Sequence, residues 1–296
     1  MASAAGRRTR AAVAALLTLW AIAPSLAHAQ AAAPADDAGT LELIDPEVFR
    51  ACGDPRNLPF SNDKGEGFEN KLAELFAGKL GKKLSYTYFP QATGFVRMTL
   101  GSHRCDVIMG YPQGSDAAQV TVPYYRTTYA LVSKPGGGFE GVGALNDPKL
   151  KDKRIGVVAG TPPSTNMAIN GLLTHVKSYP LMIDTRHDSS AQAMIDDVAA
   201  GDVDLGILWG PMAGYFGAKA SPPLAVAPLT KETSGPPLIY RIGMAVRPSD
   251  QEWKRTLNKL IADNQGEINK LLLGFNIPLL DEAGAPITAD TIANKP

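Results

Sequence analysis

Twice along this chain, compact apolar runs of strand length alternate with amphipathic helical stretches, and long extended segments join the two series. This repetition constrains the fold more than any single motif. In the first series, residues 47–51 read as a short strand. Phe68, Leu72, Leu75, Phe76 and Leu80 then recur at helical spacing before Gly81, which is placed to stop the helix. Residues 84–89 alternate as a strand, 94–100 form a short helix, and 106–110 (Asp-Val-Ile-Met-Gly) form a compact apolar strand. Between the first strand and first helix, Pro55 and Pro59 argue against regular structure in residues 52–60. Residues 123–134 are rich in aromatic and β-branched side chains and end at Pro135-Gly136-Gly137-Gly138, as expected for a strand leaving a first lobe.

The rhythm then restarts. Residues 154–159 read as strand, 160–164 as a turn, 165–175 as helix, 181–184 as strand, 191–200 as helix ended by Gly201, and 203–208 as a buried strand. Pro222, Pro223, Pro236 and Pro237 mark loops. Residues 239–246 form a second long strand, and 250–273 carry Trp253, Leu257, Leu260, Ile261, Ile268, Leu271 and Leu272 at helical intervals up to Gly274. Strands alternating with helices imply right-handed crossovers and mostly parallel sheets covered on both faces. The expected class is therefore α/β: two lobes with central, mixed, mostly parallel sheets, joined by two hinge strands. The first lobe comprises 43–130 plus 240–282, the second 131–239, and 283–296 form a C-terminal tail. Such a pair of lobes leaves a cleft where the carboxyl ends of the strands converge.

Arg7, Arg8 and Arg10, an apolar run over 11–23, Pro24 and the small-x-small site Ala27-His28-Ala29 read as a secretory signal peptide over 1–29, with a flexible tail over 30–42. The apolar run falls short of the roughly 20 residues that span a bilayer, and no later stretch is apolar enough to cross one. The expected location is the periplasm. Removing 1–29 leaves 26 bases against 29 acids, a charge of about −3. Basic residues are scattered, with one local cluster over 149–154 that Asp152 interrupts, so no nucleic-acid partner is expected.

Catalytic constellations are sparse. After residue 29 the histidines are His103, His175 and His187, none in a paired metal spacing, and no Gly-x-Ser-x-Gly or P-loop is present. Asp196-Asp197 and Asp202-x-Asp204 flank a helix end and a turn and read as solvated surface rather than a metal cluster. No metal, cofactor or catalytic residue is expected. Cys52 and Cys105, in a chain leaving the reducing cytosol, read either as a disulfide or as two buried thiols.

Several segments together carry a family resemblance. Gly67-Phe68-Glu69-Asn70, Cys105-Asp106-Val107-Ile108-Met109-Gly110, Pro123-Tyr124-Tyr125 and Gly201-Asp202-Val203-Asp204-Leu205 resemble the type II periplasmic solute-binding proteins over nearly all of the chain after residue 29. Residues 52–62, 65–71, 94–100, 104–110 and 209–216 (Trp-Gly-Pro-Met-Ala-Gly-Tyr-Phe) are similar to the J-type proteins associated with methanol dehydrogenase, the MxaJ and XoxJ group. This resemblance implies a binding protein that assists a quinoprotein (methanol) dehydrogenase and makes or breaks no bond. The alternative is the binding subunit of an importer for a small solute other than an amino acid. In the two-lobe arrangement the strands bearing Cys52 and Cys105 are parallel neighbours, which favours the disulfide.

Asp54, Asn57, Phe60, Tyr111, Gln113, Tyr124 and Tyr125 fall at strand ends or loops expected to face the cleft, where aromatic and polar groups suit a ligand or a protein segment. For each, the alternative is packing inside a lobe. Trp209, directly after a buried strand, is the leading cleft residue, with Gly210-Pro211 fixing a turn; packing beneath Tyr215-Phe216 is its alternative. Phe95 joins Phe60, Tyr125 and Trp209 at the expected centre of a partner-binding face. Thr161 precedes a helix and reads as its N-cap rather than as an anion site, because Pro162 and Pro163 remove two N–H donors.

Amino-acid binders of the type II fold use an arginine for the ligand carboxylate and an acid for its ammonium. At the corresponding positions this chain has residues 114–118, which contain no base, and Trp209. An uncharged aromatic cleft is therefore expected, and common amino acids should not bind. Calorimetric titration with the twenty amino acids tests this, and a micromolar response to any one contradicts it.

Overall fold

The computed structural model describes residues 42–185 and 187–293, so the expected signal peptide and all but the last residue of the expected N-terminal tail lie outside the described residues. In chain order the first elements are β1 (Val48–Gly53), β2 (Arg56–Asn57), β3 (Ser61–Asn62), α1 (Phe68–Leu80), β4 (Lys83–Tyr88), α2 (Phe95–Met98), β5 (Val107–Pro112), β6 (Gln119–Val120) and β7 (Tyr125–Ser133). Next come β8 (Ile155–Val158), α3 (Pro162–Ile169), β9 (Val176–Tyr179), α4 (Ser190–Ala200), β10 (Leu205–Trp209), α5 (Gly210–Lys219) and β11 (Ala225–Pro228). The last elements are β12 (Ile239–Val246), α6 (Gln251–Gly274), β13 (Leu279–Leu280), β14 (Pro286–Ile287) and α7 (Ala289–Ala293).

Ten strands share one hydrogen-bonded sheet in the order β4-β1-β5-β12-β7-β10-β8-β9, with β6 on β12 and β11 on β7. The two wings are parallel, β4-β1-β5 on one side and β10-β8-β9 on the other. Two long antiparallel strands join them. Tyr125 to Thr128 of β7 pair with Ile242 to Ile239 of β12, and Tyr129 to Ser133 continue into the second wing against β10. These are the two crossing strands expected from the sequence.

Strand alternation gives each wing two apolar faces. In the first wing Phe49 and Ala51 of β1 and Val107 and Met109 of β5 meet Phe68, Leu72 and Phe76 of α1 and Leu257, Ile261 and Ile268 of α6. The opposite face turns Cys52 and Ile108 toward Phe95 and Leu100. In the second wing Leu131, Ile155, Leu205 and Ile207 face one layer, while Ala130, Val132 and Leu208 face Met194, Ile195 and Val198 of α4 on the other. Burying each large apolar side chain contributes about 1.5–3 kcal/mol.

The sheet of the first wing is also fixed by a buried ionic knot. Asp106, 1% exposed, takes Arg50 on both carboxylate oxygens at 2.7 Å and Arg247 at 2.7 Å. Arg247 also donates to the carbonyls of Leu100 and Cys105, and its Nε lies 2.7 Å from Asp250 without a well-aligned hydrogen bond. The indole of Trp253 donates to the Asp106 carbonyl at 3.1 Å. β1, β5, β12 and α6 thus meet at one carboxylate whose charge is fully paired, as a buried charge requires.

Several local expectations need correction. Gly210 and Pro211, expected to fix a turn, instead open a ten-residue helix, α5. Its glycines lower helix propensity but are required by contact: a Cβ on Gly210 would lie 2.3 Å from the Thr128 carbonyl, and one on Gly214 1.8 Å from that of Asn276. The strand expected over 181–184 lies instead at Val176–Tyr179, before Pro180; it is a short edge strand with Lys177 and Ser178 exposed, so it shows little apolar periodicity. Helix α3 starts at Pro162 rather than 165 and ends at Ile169, because proline is well tolerated in a first turn. Residues 283–293 are not a loose tail. β14 pairs with β13, α7 comes next, and Arg126 and Arg241 both bind Glu282 just before them.

Cys52 and Cys105 are joined by a disulfide, with Cα atoms 5.4 Å apart, beneath Phe95. The bond closes a loop spanning 53 residues, which on the chain-entropy argument stabilises by about 4 kcal/mol. Replacing both cysteines by alanine is expected to lower unfolding free energy by roughly 2–4 kcal/mol in urea titrations. Thiol-reagent titration of the native oxidised protein should find no free thiol; two would contradict the pairing.

Candidate functional site

Where the wings meet, loops at the ends of the strands and the crossing strands themselves enclose a cavity of about 970 Å³. Its first-wing wall comes from Asp54, Asn57, Phe60, Glu69, Tyr111 and Tyr125, and its second-wing wall from Tyr129, Thr161, Leu181, Trp209 and Phe216, with Tyr240 of β12 between them. Cavities of this size hold small organic ligands, and an apolar lining with a few convergent polar groups is their usual composition.

Seven of the ten residues singled out from the sequence line this cavity: Asp54, Asn57, Phe60, Tyr111, Tyr125, Thr161 and Trp209. Phe95, Gln113 and Tyr124 do not. Phe95 points to the opposite face of the sheet, into the disulfide cluster. Gln113 is an exposed residue whose amide donates to the Thr121 carbonyl at 2.5 Å. Tyr124 is fully buried with its hydroxyl on the Met109 carbonyl at 2.7 Å; in an extended segment neighbouring side chains point oppositely, so Tyr125 reaches the cavity and Tyr124 does not.

Among the lining residues, some polar groups are already consumed by the fold. Both carboxylate oxygens of Asp54 accept backbone N–H groups, from Arg56 at 2.8 Å and Gln91 at 2.6 Å, so this acid shapes the wall. Thr161 donates to the Val158 carbonyl at 2.6 Å and occupies the N-cap position of α3 by backbone geometry, without a side-chain cap. Tyr111 accepts from Ser115 at 3.2 Å. Asn57 donates to Gln91 at 2.7 Å.

Trp209 is the cross-strand partner of Tyr129 and packs edge-to-face against it at 5.1 Å and against Tyr240 at 5.5 Å. It sits at the junction of β10 and α5, where Gly210 lets the helix approach β7 and Pro211 fits the first turn. The indole is half-buried and belongs to this aromatic cluster, whereas Tyr215 and Phe216 pack edge-to-face on each other. Tyr129 and Tyr240 were not anticipated. Their meeting depends on the pairing of β7 with β12 and β10, which no local pattern records.

The expected uncharged lining is not what the fold builds. Glu69 is 6% exposed, forms part of the cavity wall, and its carboxyl has no hydrogen-bond partner among the described residues. Gly110 makes room for it, since a Cβ there would lie 2.1 Å from Glu69 Oε1. Burial pushes the Glu69 carboxyl up from its ordinary range to about 8. A sequence signal existed: Glu69 stands three, four and seven residues before Leu72, Ala73 and Phe76, all on the buried face of α1. Arg56 and Lys64 also lie along the lining, so what holds is narrower: residues 114–118 contain no base, and Trp209 stands where an acid would.

A mixed sheet with two parallel wings, crossed by two strands and enclosing a cavity at their junction, defines a two-lobed binding protein of the α/β class. The chain belongs to the bacterial extracellular solute-binding proteins, whose family model matches residues 69–268. It is similar to the periplasmic binding protein XoxJ from Methylobacterium extorquens AM1, at 38% identity over 79% of this chain and 100% of that one, with a TM-score of 0.67. The protein MoxJ of Paracoccus denitrificans is 27% identical over 251 residues, 80% of this chain and 91% of its own. MoxJ of Methylorubrum extorquens is 26% identical over 291 residues, 93% and 96% of the two chains. Among the described residues no helix is long and apolar enough to cross a membrane, and no group of three or more acids, histidines or cysteines is arranged to hold a metal.

The raised Glu69 group makes stability depend on pH. Folded, it keeps its proton up to about pH 8; unfolded, it loses it near 4.5, so the folded state binds more protons between these values and stability falls as pH rises through them. Its place in the first turn of α1, where the helix dipole favours an anion, offsets a small part. Glu69→Gln should therefore gain on the wild type by roughly 2–5 kcal/mol between pH 5 and pH 9 in urea unfolding. A difference that stays constant over that range would contradict the assignment.

Proposed function

We propose that the protein is exported to the periplasm and serves a quinoprotein, pyrroloquinoline-quinone-dependent alcohol dehydrogenase as a binding factor for its assembly or activation, without catalysing a reaction. The observation that carries this reading is the aromatic junction of Trp209, Tyr129 and Tyr240 in a cavity open between two wings, within a chain 38% identical to XoxJ. The resemblance of residues 52–62, 94–100, 104–110 and 209–216 to the dehydrogenase-associated group supplies the partner class.

Two features support a protein at the cavity mouth. Leu181 lines the cavity while 55% exposed, and the adjacent Met182 is 65% exposed. Unpaired apolar side chains at a rim are typical of a surface that another molecule covers, and methionine adapts readily to a partner. Binding by closure of the wings around a bound segment fits the two crossing strands as the connection between them. The importer reading is supported by the cavity volume, which suits a small solute.

The purified protein, used as bait in a periplasmic extract from its own source, is expected to retain a quinoprotein dehydrogenase. Trp209→Ala is expected to weaken that association by roughly 1–4 kcal/mol, read by calorimetry, with the melting transition retained. A folded Trp209→Ala variant that binds and activates the dehydrogenase at the wild-type level removes the cleft as partner site and favours the importer.

A further inference from the structure

Glu69 holds a carboxyl that the fold buries without pairing it. The buried acids Asp106 and Asp54 are satisfied, the first by Arg50 and Arg247 and the second by two backbone N–H groups. Glu69 alone of these three faces the cavity with no partner, in a space kept for it by the missing side chain of Gly110. Close to it, the Tyr125 hydroxyl also makes no hydrogen bond among the described residues, and across the same cavity the Trp209 indole N–H and Tyr240 hydroxyl make none there either. A buried polar group left unpaired is costly in folding, so its retention at a cavity floor points to a partner that arrives from outside.

The chemistry of that partner is set by charge and surface. Among the described residues of the lining the acids Asp54, Asp63, Glu66, Glu69 and Asp188 outnumber the bases Arg56 and Lys64, so these groups favour a cation and disfavour a polyanion. The clustered rings of Tyr129, Trp209 and Tyr240 offer apolar area for a hydrocarbon or unsaturated body and add a favourable quadrupole for positive charge. We propose that the cavity binds a small organic cation, an amine or guanidinium on an apolar or unsaturated body, and that Glu69 is the residue that recognises its positive charge. This rests on the reading of the cleft as the binding site and is independent of the dehydrogenase.

A charge-assisted bond to the carboxylate requires Glu69 to ionise, so binding releases a proton where the free protein holds one. The titratable groups facing Glu69 are Tyr86 of β4, Tyr124 just before β7, and Tyr125. All three have pKa values raised by burial, that of Tyr86 to about 12, so they stay neutral through the range in which Glu69 titrates.

The test is calorimetric titration of the full mature chain with phenethylamine, tyramine and agmatine, and with the neutral 2-phenylethanol, from pH 6 to pH 9. Affinity for the amines is expected to rise roughly tenfold per pH unit up to about pH 8 and then level, while 2-phenylethanol binds more weakly with no pH dependence. Glu69→Gln should lose at least about tenfold in amine affinity at pH 8 and lose the pH slope, with 2-phenylethanol unchanged; Glu69→Leu serves as second variant should the glutamine disturb the fold. The proposal is overturned if none of the three amines binds up to millimolar concentration, if amine and alcohol bind alike, or if a folded Glu69 variant keeps the slope. Dehydrogenase capture is scored separately with the wild type and the same variants, so failure of the wild type to bind any of the amines with capture retained overturns this inference and leaves the partner reading standing.

Discussion

The pairing of β7 with β12 is the constraint on which the rest of the molecule depends. Tyr125 to Thr128 and Ile239 to Ile242 form one antiparallel ladder, and each strand then runs on into a different neighbour, β7 into β10 and β12 into β5. Backbone groups at the centre of the sheet are therefore satisfied without a break between the wings. The buried hydroxyls of the crossing are satisfied as well: Thr127 donates to Pro278, and Thr128 bonds to the carbonyls of Leu229 and Leu238. Because side chains alternate along these strands, fixing the register also fixes which aromatic residues meet at the cavity. A slip of one residue would turn Tyr240 to the other face of the sheet, away from Trp209.

The polar groups of the molecule divide by whether the fold itself uses them. The knot around Asp106 links three strands and a helix, and its charges are consumed there. The Asp54 carboxylate holds the turn containing β2 and β3 against the loop at Gln91. Asn70 likewise accepts N–H groups from Asn62 and Gly67 and so ties that turn to the start of α1. These bonds bring Phe60 to the cavity wall beside Phe68, at 5.3 Å between rings. Glu69, one residue before Asn70 on the same helix turn, is left over. Neighbouring residues of one motif thus serve opposite ends, one closing the loop and one facing the space that the loop encloses.

Much of the element order was legible in the sequence because it derives from short-range periodicity. Helix α1 runs from Phe68 to Leu80 with Gly81 left-handed at its end, and β12 spans the residues that its composition indicated. The failures share a cause. Helix α5 was hidden because its glycines answer to Thr128 and Asn276, distant in sequence, and β9 because an edge strand buries too little to show a pattern. Phe95 and Tyr124 were placed in the cleft on composition, but which face of a sheet a side chain takes depends on register.

The sequence by itself determined the α/β alternation, the two crossing strands and the place of Trp209 at a strand end, since each is carried by residues adjacent in the chain or by the order of the strands, while the choice between a disulfide and two buried thiols at Cys52 and Cys105 was made by the fold. Only the tertiary structure decided the chemistry of the cavity. Tyr129 and Tyr240 flank Trp209 through the pairing of strands far apart in the chain, and the charge state of Glu69 is set by the water that surrounding elements exclude. Periodicity reports that a helix face is buried; whether a carboxyl on that face meets a counter-charge, a backbone donor or an empty cavity is a property of what packs against it.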